Sequence, residues 1–107
     1  CKDAPVLIVT AFVKNHSGHD NQGNPVNEVG NGWGCYDLGL HDSHLILKAK
    51  DLGLDTLIMG IRDADALREL LDIGQDQEVV SVIAVGYRDI DPAGPGRKGL
   101  DETARFY

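Results

Sequence analysis

The chain has 107 residues, enough for one domain with a modest core. Hydrophobic residues make up 42% and charged residues 25%, which excludes a disordered chain; the longest apolar runs, 5–13 and 79–85, fall far short of the roughly 20 residues that cross a bilayer. Ten Lys+Arg against 17 Asp+Glu give a net charge of −7, and the basic residues are scattered, so neither nucleic acid nor a membrane surface is an expected partner.

The sequence opens on Cys1 rather than methionine and shows no basic, apolar, small-residue leader. A lipoprotein cysteine would be followed by a polar tether, whereas the strand-like Ala4-Pro5-Val6-Leu7-Ile8-Val9 follows here, so a piece of a longer chain is expected. Two cysteines, Cys1 and Cys35, are too few for a disulfide scaffold, and the expected compartment is the reducing cytoplasm.

Pro5 to Val13 reads as a buried strand, with Pro5 at its start, where a missing N–H costs nothing. Residues 15–34, rich in Asn and Gly, read as a mobile loop of a length that is usually functional. Asp37 to Leu52 reads as a helix. Asp37 is its N-cap or first-turn acid, and Leu38, Leu45, Ala49 and Leu52 form one face. Leu40 and Leu47 widen that face, so the helix is expected to be well buried. Gly53 supplies a left-handed stop, with Leu54 packing back.

Asp55 to Gly60 is a short strand. A second helix is capped by Asp63, turns Leu67, Leu70 and Leu71 to the core, and ends near Ile73-Gly74. Glu78 to Tyr87 is a third strand. Residues 88–107 form a Pro/Gly-rich arm in which 100–106 make a turn or two of helix. The pattern is β–loop–α–β–α–β. Two helices are too little cover for strands apolar on both faces, so the chain reads as half of a sandwich.

Four histidines form two HxxH pairs, His16/His19 and His41/His44, the first beside Asp20 and the second flanking an exposed stripe with Asp42. Such pairs with a carboxylate can bind zinc, but solvated surface is the plainer reading, and no metal is expected. Cys35 lacks a defined base partner and reads as a packed side chain. No GxGxxG or P-loop pattern occurs. Asp63-Ala64-Asp65 reads as helix capping, and Asp89-Ile90-Asp91 as a solvated turn. Met59-Gly60-Ile61 ends a strand, where glycine lets a flat ligand approach the backbone. Arg97-Lys98 is an exposed basic pair whose arginine fork suits a phosphate.

Taken together, these segments resemble the FMN-dependent nitroreductase family. The resemblance lies in Asp3-Ala4-Pro5-Val6-Leu7-Ile8-Val9, Trp33-Gly34-Cys35-Tyr36-Asp37-Leu38-Gly39-Leu40 and the run from Leu47 through Leu52-Gly53-Leu54-Asp55-Thr56-Leu57-Ile58-Met59-Gly60. It continues in Arg62-Asp63, Leu67-Arg68-Glu69-Leu70-Leu71, Ala84-Val85-Gly86-Tyr87 and Arg97-Lys98-Gly99-Leu100-Asp101-Glu102. It implies an α+β, nitroreductase-like FMN-binding fold, here an incomplete half that pairs within an intertwined homodimer. The flavin would lie at the subunit interface.

Carried over residue by residue, the resemblance sets the backbone of Gly60 and Ile61 at the flavin N5 edge, with Met59 lining the pocket. Arg97, with Lys98 beside it, would contact the FMN phosphate. Trp33 and Tyr36 would shape the substrate side. The implied reaction is ping-pong reduction by NADH or NADPH of a small-molecule acceptor such as a nitroaromatic or quinone, with no catalytic side chain required. The family's N-terminal arginine/serine-rich FMN motif is missing from this sequence. Residues 1–107 therefore read as the C-terminal part of one domain, completed by a missing segment or a second chain. The alternatives are a truncated, non-catalytic binding or structural module, and a small metal-binding domain built on the HxxH pairs.

Overall fold

The structure is a computed structural model describing residues 3–107. Its elements are β1 (Val6–Val13), α1 (Gly32–Asp51), β2 (Asp55–Met59), α2 (Ala64–Leu71), β3 (Gln77–Gly86) and a short α3 (Leu100–Thr103). The three strands form one antiparallel sheet in the order β1-β3-β2. This is a mixed helix and strand fold. β3 sits in the middle and supplies most of the core: Val79, Val82, Ile83 and Ala84 are buried, with Ala49 of α1. Of the two strands that read as apolar on both faces, only β3 is flanked on both edges; β1, expected to be buried, is an edge strand on which Val6, Leu7 and Val13 are about half exposed.

α1 packs against β1 and β2, the two outer strands, and so crosses the face of the sheet. Its buried residues are Gly34, Asp42 and Ala49. Gly34 lies so close to the Phe12 ring that a methyl group there would collide with it. Side chains alternate along a strand, so Ile8 and Thr10 share the face of Phe12. The Thr10 and Ser81 hydroxyls meet on that face at 2.7 Å, both buried. The opposite face is open: Leu7 and Leu57, which flank Ala84 from its two sides, are each more than half exposed.

Several expectations are corrected. α1 begins at Gly32, five residues before Asp37, and has no acid in its first turn. Asp37 instead accepts a hydrogen bond from the Ser17 hydroxyl. Glycine at 32 and 34 disfavours a helix locally, but the contact of Gly34 with Phe12 needs a residue without a side chain. Leu40, Leu47 and Leu52 are 50%, 68% and 63% exposed, so only part of the α1 face is covered. Asp42, expected on an exposed stripe, is buried on the sheet side. In α2, Leu70 and Leu71 face outward, because α2 meets only β3 and no second layer covers its far side. Its left-handed end is Asp72, at φ 54°, rather than a glycine. Cys35 is exposed rather than packed.

Other local signals act as expected. Gly53, at φ +80°, closes α1: its N–H donates to the Lys50 carbonyl and that of Leu54 to Ala49, the paired bonds of a Schellman end. Asp63 caps α2 by accepting from the Ala66 N–H at 3.0 Å.

Candidate functional site

The Asn/Gly-rich segment is threaded with hydrogen bonds. At its base, Asn15 (φ 58°) donates its N–H to the Asn31 side chain at 2.7 Å, and the Asn31 amide donates back to Asn15 at 3.0 Å. This reciprocal pair joins the end of β1 to the start of α1. Within the segment the backbone N–H groups of Asn24 and Gln22 hold the Asp20 carboxyl below the usual carboxylate range. Trp33, in the first turn of α1, donates its ring N–H to Asn27 at 3.0 Å and meets Tyr36 edge to face, with centroids 5.8 Å apart. Gly18, at φ +70°, lies directly on the Trp33 ring. The pair therefore presents a fixed aromatic edge, with Tyr36 60% exposed.

Met59 is the last residue of β2 and is half-buried. Gly60 is exposed and has no heavy atom within 4 Å of where a Cβ would stand; Ile61 is fully exposed. The turn is therefore open beside the glycine, which leaves room for a flat ring to approach the backbone. Arg62 donates to the carbonyls of Gly60 at 3.3 Å and Val79 at 2.6 Å. Its role at the turn is not visible along the chain, because its acceptor Val79 lies 17 residues away on β3.

Trp33 and the Gly60 turn occupy the same end of the sheet, where β1 and β2 finish and β3 begins, but on opposite outer sides. Arg97 and Lys98 are not gathered with them. Both are exposed on residues 87–99, which form neither helix nor strand and leave β3 at the other end. A concavity of about 540 Å³ lies at that other end, lined among others by Pro5, Leu57, Ala84, Tyr87 and Ile90, with the Asp55 and Arg88 ion pair beside it. A groove of about 290 Å³ between β1 and α1 brings together His16, Ser17, Asp37 and His41 over Phe12 and Leu38. Each HxxH pair thus places one histidine in one groove, which their separation in sequence does not show. Among the described residues no three His, Cys, Asp or Glu side chains are arranged to hold a metal.

The nitroreductase family model matches residues 1–87, and the chain belongs to the nitroreductase family. A nitroreductase family protein from Streptococcus pneumoniae TIGR4 superposes with a TM-score of 0.67 at 25% identity, over 72% of this chain and 38% of that one. A nitroreductase family protein from Clostridium difficile 630 has the same fold, with a TM-score of 0.72 at 22% identity, over 97% of this chain and 60% of that one. The chain thus spans less than two thirds of the length of either. No curated protein matches it. No helix among the described residues is long and apolar enough to cross a membrane.

Proposed function

We propose that this chain is the C-terminal part of an FMN-dependent oxidoreductase that uses NADH or NADPH to reduce a small-molecule acceptor, nitroaromatic or quinone-like, in the cytoplasm. The observation that carries the reading is the Gly60 turn, open to a flat ring at the end of β2 in a chain of this family. Bound there, FMN would supply hydride acceptance from the nicotinamide and hydride delivery to the acceptor, in two half-reactions at one face. The chain's own part is to bind and orient. The Gly60 and Ile61 N–H groups face the ring edge, and Met59 lines the pocket. Trp33 and Tyr36 offer an aromatic wall on the acceptor side.

Arg97, with Lys98 beside it, supplies the phosphate contact from the arm. The arm leaves β3 where β2 begins. Gly60 of its own chain lies at the far end of β2, about 17 Å for five residues; the homodimer that the family resemblance implies leads us to assign the contact to a second copy. The radius of gyration, 16.9 Å, exceeds the roughly 13 Å of a compact chain of this length, as an outstretched arm requires. The exposed Leu7 and Leu57 face supports a homodimer, or a further segment of the same fold, as its cover.

Native mass spectrometry with added FMN tests this reading. A dimer carrying FMN is expected, and Arg97→Ala should weaken FMN binding about tenfold, the scale of one charge-assisted contact. A chain that takes up no FMN would overturn the assignment and fit a non-catalytic binding module instead.

A further inference from the structure

We propose that Arg62 is a positioning residue for the flavin, pinning the Gly60 turn to β3 so that the turn's N–H groups keep a fixed aim. This rests on the reading of that turn as the flavin contact. β2 pairs with β3 only as far as Met59 opposite Val82, whereas β3 begins at Gln77. Along residues 77–81 the β2 edge of β3 has therefore lost its strand partner, and backbone groups stranded there need other partners. The register against β1 also slips here, with Thr10 opposite Ser81 but Ala11 opposite Val79, leaving Val80 as a bulge.

Two arginines serve this stretch. Arg62 donates Nη2 to the Val79 carbonyl at 2.6 Å, and Arg68 donates Nη2 to the Gln77 carbonyl at 2.8 Å. Carbonyls two residues apart on a strand point the same way. The two guanidinium groups thus continue, with side chains, the ladder that β2 stops building. Of the two, Arg62 also reaches the turn: its Nη1 donates to the Gly60 carbonyl at 3.3 Å. One planar fork ties turn to strand, a geometry that a lysine ammonium does not reproduce.

The turn has need of such a tie. Gly60 has no side chain to pack, and Ile61 projects wholly into solvent. The fork also sets a fixed positive charge beside the turn. A cation there favours the more electron-rich, reduced form of a bound ring. Arg62 would thus act on affinity through geometry and on potential through charge.

The test compares Arg62→Ala and Arg62→Lys, first without flavin and then in the FMN-loaded protein. Without flavin, backbone amide order parameters at Gly60 and Ile61 should fall in both variants. Amide hydrogen exchange at Ile83 in the middle of β3 should not change, which shows that each variant is folded. With FMN, Arg62→Ala should raise the dissociation constant about tenfold and lower the flavin midpoint potential; Arg62→Lys should restore much of the potential but not the affinity. Unchanged order parameters in Arg62→Ala would show that the fork does not hold the turn. Lower order parameters with unchanged affinity and potential would show that the turn, though held, is not held for the flavin. If the unsubstituted protein takes up no FMN, the flavin reading itself falls, whatever the relaxation result, and this proposal falls with it.

Discussion

The guanidinium of Arg88, two residues beyond β3, lies 2.6 Å from the carboxylate of Asp55, the first residue of β2. The Arg88 backbone N–H adds a second bond to the same carboxylate at 3.3 Å, and Lys50, near the end of α1, adds a third at 3.3 Å. One carboxylate therefore joins the end of the helix, the start of one strand and the exit of another. Arg88 beside it holds the Asp55 carboxyl well below the usual carboxylate range, and Asp55 in turn raises the Arg88 guanidinium.

The depressed Asp55 sets a pH dependence. Its contribution to stability is fully present above the unfolded carboxyl value, close to 3.8, and is lost as the pH falls below it toward the folded value. Asp55→Asn is expected to lower the melting temperature at pH 7, and the gap to the unsubstituted protein is expected to narrow steadily as the pH falls from 4 to 2. Thermal unfolding across that range checks it; two parallel curves would refute the linkage. Added salt should narrow the gap at neutral pH, because both side chains are partly open to solvent.

Thr10 and Ser81 form a buried hydroxyl pair between β1 and β3, 2.7 Å apart. Without the Ser81 hydroxyl, Thr10 keeps only its long bond to the Ser81 carbonyl at 3.4 Å, so Ser81→Ala alone should cost about 1–3 kcal/mol. Thr10→Val in that background removes the poorly satisfied hydroxyl and should recover part of the loss. A denaturant double-mutant cycle measures the coupling. Strict additivity would mean that the two hydroxyls do not depend on one another.

Trp33 is the chain's one tryptophan, so its fluorescence reports the loop directly. Asn27→Ala removes the partner of the indole N–H, and Gly18→Ala places a methyl group against the ring at a left-handed backbone position. Both should change the emission maximum and intensity, and Gly18→Ala should also destabilise the protein by about 1–3 kcal/mol. Should either variant weaken binding of an aromatic acceptor with FMN affinity intact, the wall assigned to Trp33 and Tyr36 gains support. An emission spectrum indifferent to both changes would show that the loop does not seat on Trp33.

What could be read along the chain was what neighbours in sequence decide. The three strands lie within a residue or two of their apolar runs, because a β-branched run between turn residues carries its own signal. The Gly53 stop and the Asp63 cap are likewise local, each needing a residue type at one place and bonds to residues within five positions. The order of blocks from Trp33 to Gly60 and on to Tyr87 also carried the family.

Tertiary structure decided the rest, wherever the partner is distant. The start of α1 at Gly32 depends on Phe12, across the whole loop, and local glycine propensity argues the other way. The exposure of Leu70 and Leu71 depends on what lies beyond α2, which helical periodicity cannot report. Arg62 and Arg68 find their acceptors on β3 because β2 stops at Met59 while β3 begins at Gln77, a mismatch that exists only once the strands are paired. The sequence by itself determined the elements and the family; only the paired sheet decided which backbone groups were left over and which side chains answer them, because an edge exists only where a neighbour ends.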